Sequence, residues 1–79
     1  MDTQKFDTYK LGILFRHLRK DQKISQKTLS EKSGIGIKTI RAIEKGQQKK
    51  VSLENFHQIS NALGYRPEDV LKKYYLEFT

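Results

Sequence analysis

The chain has no cysteine, no tryptophan and a single proline. Without thiols it can build neither a disulfide framework nor a thiolate metal site, so a reducing, cytoplasmic setting is expected. Long apolar runs are also missing. The longest, Leu11 to Phe15, contains Gly12 and falls far short of the roughly 20 residues that a spanning helix needs, and no signal-like run follows Met1. Neither a membrane nor a secretory role is expected. His17 and His57 lie on different predicted helices with no suitably spaced partners, which gives no expectation of a metal. A nucleophile beside a base, paired carboxylates on one face and a phosphate-cradling glycine loop are all absent, so no enzyme activity and no cofactor is expected.

Acidic residues are scarce as well, nine against sixteen Lys and Arg in 79 residues, for a net charge of +7. Such a balance favours a polyanionic partner. Charge alone leaves open DNA, RNA, an anionic membrane surface or an acidic protein. The length allows one domain with one modest core, which suits a surface function better than an enclosed active site.

Residues 1–8 are polar apart from Phe6 and read as a loose arm, with the domain occupying 9–79. Leu11, Leu14, Phe15 and Leu18 then recur at helical spacing from about Asp7 to Gln22. Ser25 is a good N-cap for a second, short helix that Gly34 stops. Ile37, Ile40 and Ile43 define a third, with Lys38, Arg41 and Lys45 outward, ended by Gly46 and the loop Gln47 to Lys50. Ser52 caps a fourth with Leu53, Phe56, Ile59 and Leu63 on one face, closed by Gly64. Pro67 suits the first turn of a fifth. Strand signals are absent, so the expectation is an all-α, compact five-helix bundle. Its expected core is Leu11, Phe15, Leu18, Leu29, Ile35, Ile40, Ile43, Leu53, Phe56, Ile59, Leu63, Val70 and Leu71.

The stretch from Gln26 to Lys45 places two short helices across a tight glycine turn. Ser30 is small enough to let them approach, Gly34 supplies positive φ, and Leu29, Ile35, Ile40 and Ile43 fill the wedge between them. Together with Leu11-Gly12, Arg16 and Leu18-Arg19 before it, and Ser52-Leu53-Glu54 and Ala62-Leu63-Gly64 after it, this stretch resembles the phage repressor and Cro-like (XRE) family of helix-turn-helix regulators. The resemblance extends from about Leu11 to Leu71. It implies a λ-repressor-like fold and binding to double-stranded DNA, with the second helix of the pair in the major groove and the first across the phosphate backbone.

The resemblance also implies residue roles. Ile37, Lys38 and Ala42 occupy base-contacting positions, and Arg41 is the exposed neighbour. Lys38 or Arg41 can donate to guanine O6 and N7, while Ile37 and Ala42 offer only apolar contact. Gln26 stands where the family bonds a phosphate. Lys45, Lys49 and Lys50, with Arg16, Thr39 and Lys27, are further phosphate candidates. Arg19 and Glu44 resemble the family's structural ion pair. Two residues depart from the usual pattern, Ser30 in place of alanine and Gly36 in place of a Ser, Thr or Asn cap, and both are expected to weaken local stability.

After Pro67 the chain offers more apolar surface than one small core should absorb. Residues 67–79 are therefore read as a possible dimerisation segment with Tyr74, Tyr75, Leu76 and Phe78 at the interface; alternatively Val70, Leu71 and Tyr74 complete the monomer core. The functional expectation is a sequence-specific transcription regulator, a repressor acting as a homodimer. The alternatives are a protein-interaction module such as an antitoxin or anti-regulator, with a protein regulator as partner, and the DNA-binding part of a longer ligand-responsive regulator.

Overall fold

Three of the helices begin at a side chain that caps them. In the computed structural model, which describes residues 7–78, the elements are α1 (Thr8–Asp21), α2 (Gln26–Ser33), α3 (Ile37–Glu44), α4 (Leu53–Ala62) and α5 (Pro67–Phe78). No strand occurs among the described residues. The Asp7 carboxylate accepts from the amides of Tyr9 and Lys10, so Asp7 and Thr8 belong to α1 rather than to an arm. Residues 1–6 of that expected arm lie outside the described residues. Ser25 and Ser52 cap α2 and α4 by accepting from the amides of Thr28 and Asn55, which satisfies amides that a helix start otherwise leaves without partners. Lys23, with φ of 59°, turns the chain out of α1 in a left-handed conformation that the sequence does not advertise.

The core is built from one stripe of each helix. Leu11, Leu14, Phe15 and Leu18 of α1 meet Leu29, Ile35, Ile40 and Ile43 of the α2–α3 pair, and Phe56, Ile59 and Leu63 of α4 close the other side. Phe15 and Phe56 pack with ring centroids 5.8 Å apart. Two expected core residues are placed differently. Leu53 is 71% exposed: it is the first residue of α4, with no earlier helical turn beside it. Leu71 is half-buried against the core rather than within it.

Leu14 and Tyr74 take their places in the core. Tyr74, expected at an interface between protomers, is only 6% exposed within the monomer. Its hydroxyl accepts from the Asp7 amide at 3.0 Å, which ties the start of α1 to α5. Phe78 is half-buried and stacks on Tyr74 with centroids 5.4 Å apart. The monomer core thus absorbs much of the apolar surface that suggested a dimerisation segment.

Ser30 does more than stay small. Its hydroxyl donates to the Ile35 carbonyl at 2.6 Å, and the Ser33 hydroxyl accepts from the Ile35 amide at 3.2 Å. The turn between α2 and α3 is therefore stitched by two serines, and the expected weakness at Ser30 is replaced by a bond that alanine could not make. Gly36 makes no side-chain cap, as its chemistry dictates.

Gly12 is required for a different reason from the turn glycines. It lies inside α1 where that helix crosses the end of α3, and a Cβ there would be driven into the Ile43 carbonyl oxygen and to 3.0 Å from that of Glu44. Replacing Gly12 by alanine should lower stability by about 2 kcal/mol or more in urea titrations, even though alanine favours a helix by about 1 kcal/mol. The opposite sign is expected at Ser60, a fully buried residue whose hydroxyl finds no hydrogen-bond partner. Ser60→Ala should raise stability by about 1 kcal/mol, since it removes a desolvated hydroxyl and improves helix propensity. A loss of stability at Ser60→Ala would show that the hydroxyl is satisfied in solution.

Candidate nucleic-acid interface

The region that joins α1, α2 and α3 is organised by one buried carboxylate. Glu44, the last residue of α3, accepts from Arg19 Nε at 2.7 Å and from Arg19 Nη2 at 3.0 Å. A third bond comes from Gln26 Nε2 at 3.0 Å. The remaining arm of the guanidinium, Nη1, donates to the Ile24 carbonyl in the turn between α1 and α2. The side chains of Arg19 and Glu44 are 9% and 4% exposed. A two-pronged, charge-assisted pair with further bonds on both partners is the geometry that offsets the desolvation of buried charge.

Gln26 extends this cluster toward solvent. Its amide nitrogen is fixed on Glu44, and its amide oxygen accepts from Arg41 Nε at 3.3 Å. The orientation of an exposed arginine on α3 is thereby linked to the buried pair through a single glutamine. Arg41 leans toward the amino end of α2, where backbone amides and a helix dipole favour an anion.

The basic residues singled out by the resemblance stand in separate places. Arg16 and Lys45, with Gln26, line one depression where α1 passes the end of α3. Lys20, which is not among the phosphate candidates that the resemblance implies, lines it too; its position one turn after Arg16 on α1 is the available signal. Lys38 and Arg41 are exposed on α3, while Ile37, Thr39 and Ala42 are half-buried. Lys27 is exposed in the first turn of α2. Lys49 and Lys50 stand apart from Arg16 and Lys45, in the loop after α3, at the rim of a groove shared with α1, α4 and α5. His17 and His57 are exposed, and no metal-holding group of side chains occurs among the described residues.

A short helix, a glycine turn and a second helix with basic outward side chains define a helix-turn-helix domain. Residues 15–70 match the family model described as helix-turn-helix. The match spans more than half the chain, and the chain belongs to that family, among the Cro/C1-like (XRE) DNA-binding transcription regulators. Among solved structures it is similar to the restriction-modification controller protein C.AhdI from Aeromonas hydrophila. That similarity has 34% identity and a TM-score of 0.76, with 81% of this chain and 96% of that chain covered. It is also similar to the clp gene regulator ClgR from Corynebacterium glutamicum, at 25% identity and TM-score 0.81 over 96% of this chain and 97% of that one. The controller protein C.Esp1396I shares the fold at 18% identity, with TM-score 0.82 and 94% and 95% of the two chains covered. No curated protein sequence matches the chain. Among the described residues no helix is long and apolar enough to cross a membrane.

Removing one member of the buried pair should be costly. Glu44→Ala strands the Arg19 guanidinium and is expected to cost about 3–5 kcal/mol, whereas replacing both residues by leucine should cost less than that single change. Chemical denaturation of the three variants checks the order. A Glu44→Ala variant as stable as the parent would show that the pair holds nothing together.

Proposed function

We propose that this protein is a sequence-specific repressor that binds a pseudo-palindromic operator as a homodimer. Residues 9–79 form the DNA-binding domain, working in the cytoplasm on nucleoid DNA and acting by binding rather than catalysis. In each protomer α3 enters the major groove and α2 crosses the backbone, the two recognition helices lying about 34 Å apart in successive grooves. Transcription is blocked by occupancy of the promoter.

The observation that carries this reading is the Arg19–Glu44–Gln26–Arg41 chain of bonds, which fixes the pose of α3 while leaving Lys38 and Arg41 at its exposed surface. Its similarity to a restriction-modification controller protein and to a clp gene regulator supports it. Lys38 and Arg41 supply the polar base contacts, and Ile37 and Ala42 meet thymine methyl groups. Gln26 uses its second amide hydrogen on a phosphate, beside Lys27 and Thr39. Arg16, Lys20 and Lys45 hold the backbone on one side, and Lys49 and Lys50 hold it on the other.

Selection of bound duplexes from a random pool should return a symmetric site of two half-sites. On that site Lys38→Ala or Arg41→Ala should cost about 1–3 kcal/mol and relax preference at particular base pairs. Lys49→Ala or Lys50→Ala should instead weaken every duplex alike and reduce the salt slope by about one. Uniform weakening by the two α3 variants would overturn the base-reading assignment, and absence of salt-dependent binding to any duplex would overturn the function itself.

A further inference from the structure

We propose that α1 forms a second grip on the DNA backbone, in which Tyr9 and His17 hold nucleotides that flank the half-site read by α3. This inference rests on the DNA-binding reading above and extends it beyond the helix-turn-helix. Its basis is a depression of about 580 Å³ between α1 and the end of α3, lined by Tyr9, Ile13, Arg16, His17, Lys20 and Lys45. The neighbouring depression at Ser25 and Gln26 shares Arg16, Lys20 and Lys45 with it. The two are therefore parts of one trough that runs from the first turn of α2 to the first turn of α1.

The charge and the length of the trough both fit a sugar-phosphate strand. Arg16, Lys20 and Lys45 are exposed, while Glu44, the carboxylate that lines both depressions, is buried and bound by two donors of Arg19. The trough therefore presents charge of one sign. Tyr9, Ile13, Arg16 and Lys20 are spaced by four, three and four residues along α1, so they form one stripe about 16 Å long at about 1.5 Å per residue. A DNA strand advances about 3.4 Å per nucleotide along its axis. A strand held at Gln26 thus passes several nucleotides before it leaves Tyr9.

The far end of the trough carries side chains that the half-site itself does not use. Tyr9 is 60% exposed, although its Cα and one ring carbon would each lie 2.8 Å from a Cβ added to Gly46. The backbone of Gly46 fixes the root of an aromatic side chain that is otherwise open to solvent. Such a phenol offers an apolar face to a deoxyribose and a hydroxyl that donates to a phosphate oxygen. The His17 imidazole, exposed about two turns further along α1, adds an N–H donor. Neither contact reads a base, so the grip is indifferent to sequence. Lys49 and Lys50 hold the backbone on the other side of α3 in the proposed mode, so one flank of the half-site reaches the trough and the other does not.

Equilibrium titration of the full chain tests this on a duplex with a single selected half-site, either trimmed to that site or extended by half a turn at one end or the other. For the parent, extension at one end should raise affinity roughly tenfold more than extension at the other, whatever the added sequence, as for one charge-assisted contact. Tyr9→Ala should lose that advantage while binding the trimmed duplex as the parent does. The salt slope should stay the same, because the change removes no cation. His17→Ala, at an exposed position, serves if Tyr9→Ala lowers the thermal midpoint, and Tyr75→Ala on the exposed side of α5 should keep the advantage. No flank advantage in the parent, an advantage that survives the Tyr9→Ala/His17→Ala double variant, or equal losses on trimmed and extended duplexes would each overturn the proposal. Specific binding of the trimmed duplex with no flank advantage leaves the DNA reading standing, whereas binding to no duplex removes both.

Discussion

The carboxylate of Glu44 is the point on which the three N-terminal helices converge. Its charge is tolerable in the interior because Arg19 meets it with two donors and Gln26 with a third. Arg19 is itself held at the far side by the Ile24 carbonyl. One cluster thereby joins the last turns of α1 and α3, the turn between α1 and α2, and the first residue of α2. Apolar packing in a domain of this size is non-directional and tolerates repacking. A buried ion pair with further bonds is directional, and it sets where the end of α3 lies relative to the start of α2. That relation is what a helix-turn-helix must preserve for its second helix to present side chains while the first holds a backbone.

The second constraint is steric and lies one layer deeper. Gly12 lets the backbone of α1 approach the carbonyls of Ile43 and Glu44 with nothing between them. This close approach is what brings Arg19, nearly two turns further along α1, within reach of Glu44. At the same junction Gly46, with φ of 71°, ends the helix against Tyr9, whose Cα would lie 2.8 Å from an added Cβ. Both glycines act through the backbone. They allow the contact geometry in which the ion pair can form, and the ion pair makes that geometry unique.

Features set by local chemistry were legible in the sequence. Helix number, order and type followed from periodicity and from Ser25, Ser52, Gly34, Gly46, Gly64 and Pro67, because caps and breakers act within a few residues of themselves. What escaped depends on the third dimension. Periodicity assigns Leu53 to the face of Phe56, but the first residue of a helix has no preceding turn to pack beneath it, and the chain there is still turning outward. Tyr74 looked like surplus apolar surface because nothing local reveals that its hydroxyl meets the Asp7 amide across 67 positions of sequence. Ser30 looked like a weakened alanine because its acceptor, the Ile35 carbonyl, is presented only once the turn has formed. Lys20 carries no local signal of its own, because its value lies in sharing a depression with Lys45 of another helix.

The division of labour along α3 follows from these constraints. An eight-residue helix has about two turns, and in this one the core takes Ile40 and Ile43 while the ion pair takes Glu44. Ile37, Thr39 and Ala42 are half committed to packing. Lys38 and Arg41 are left as the freely exposed polar side chains of the helix, and Arg41 is already drawn toward Gln26. In the proposed binding mode a single protomer therefore has few hydrogen bonds to spend on base identity. Discrimination has to come from the fixed spacing of two half-sites and from the deformability of the DNA between them. Within that proposed mode a rigid, symmetric pairing of protomers would be part of the recognition chemistry, since any looseness between them would be lost directly from the specificity that the short helix cannot supply alone.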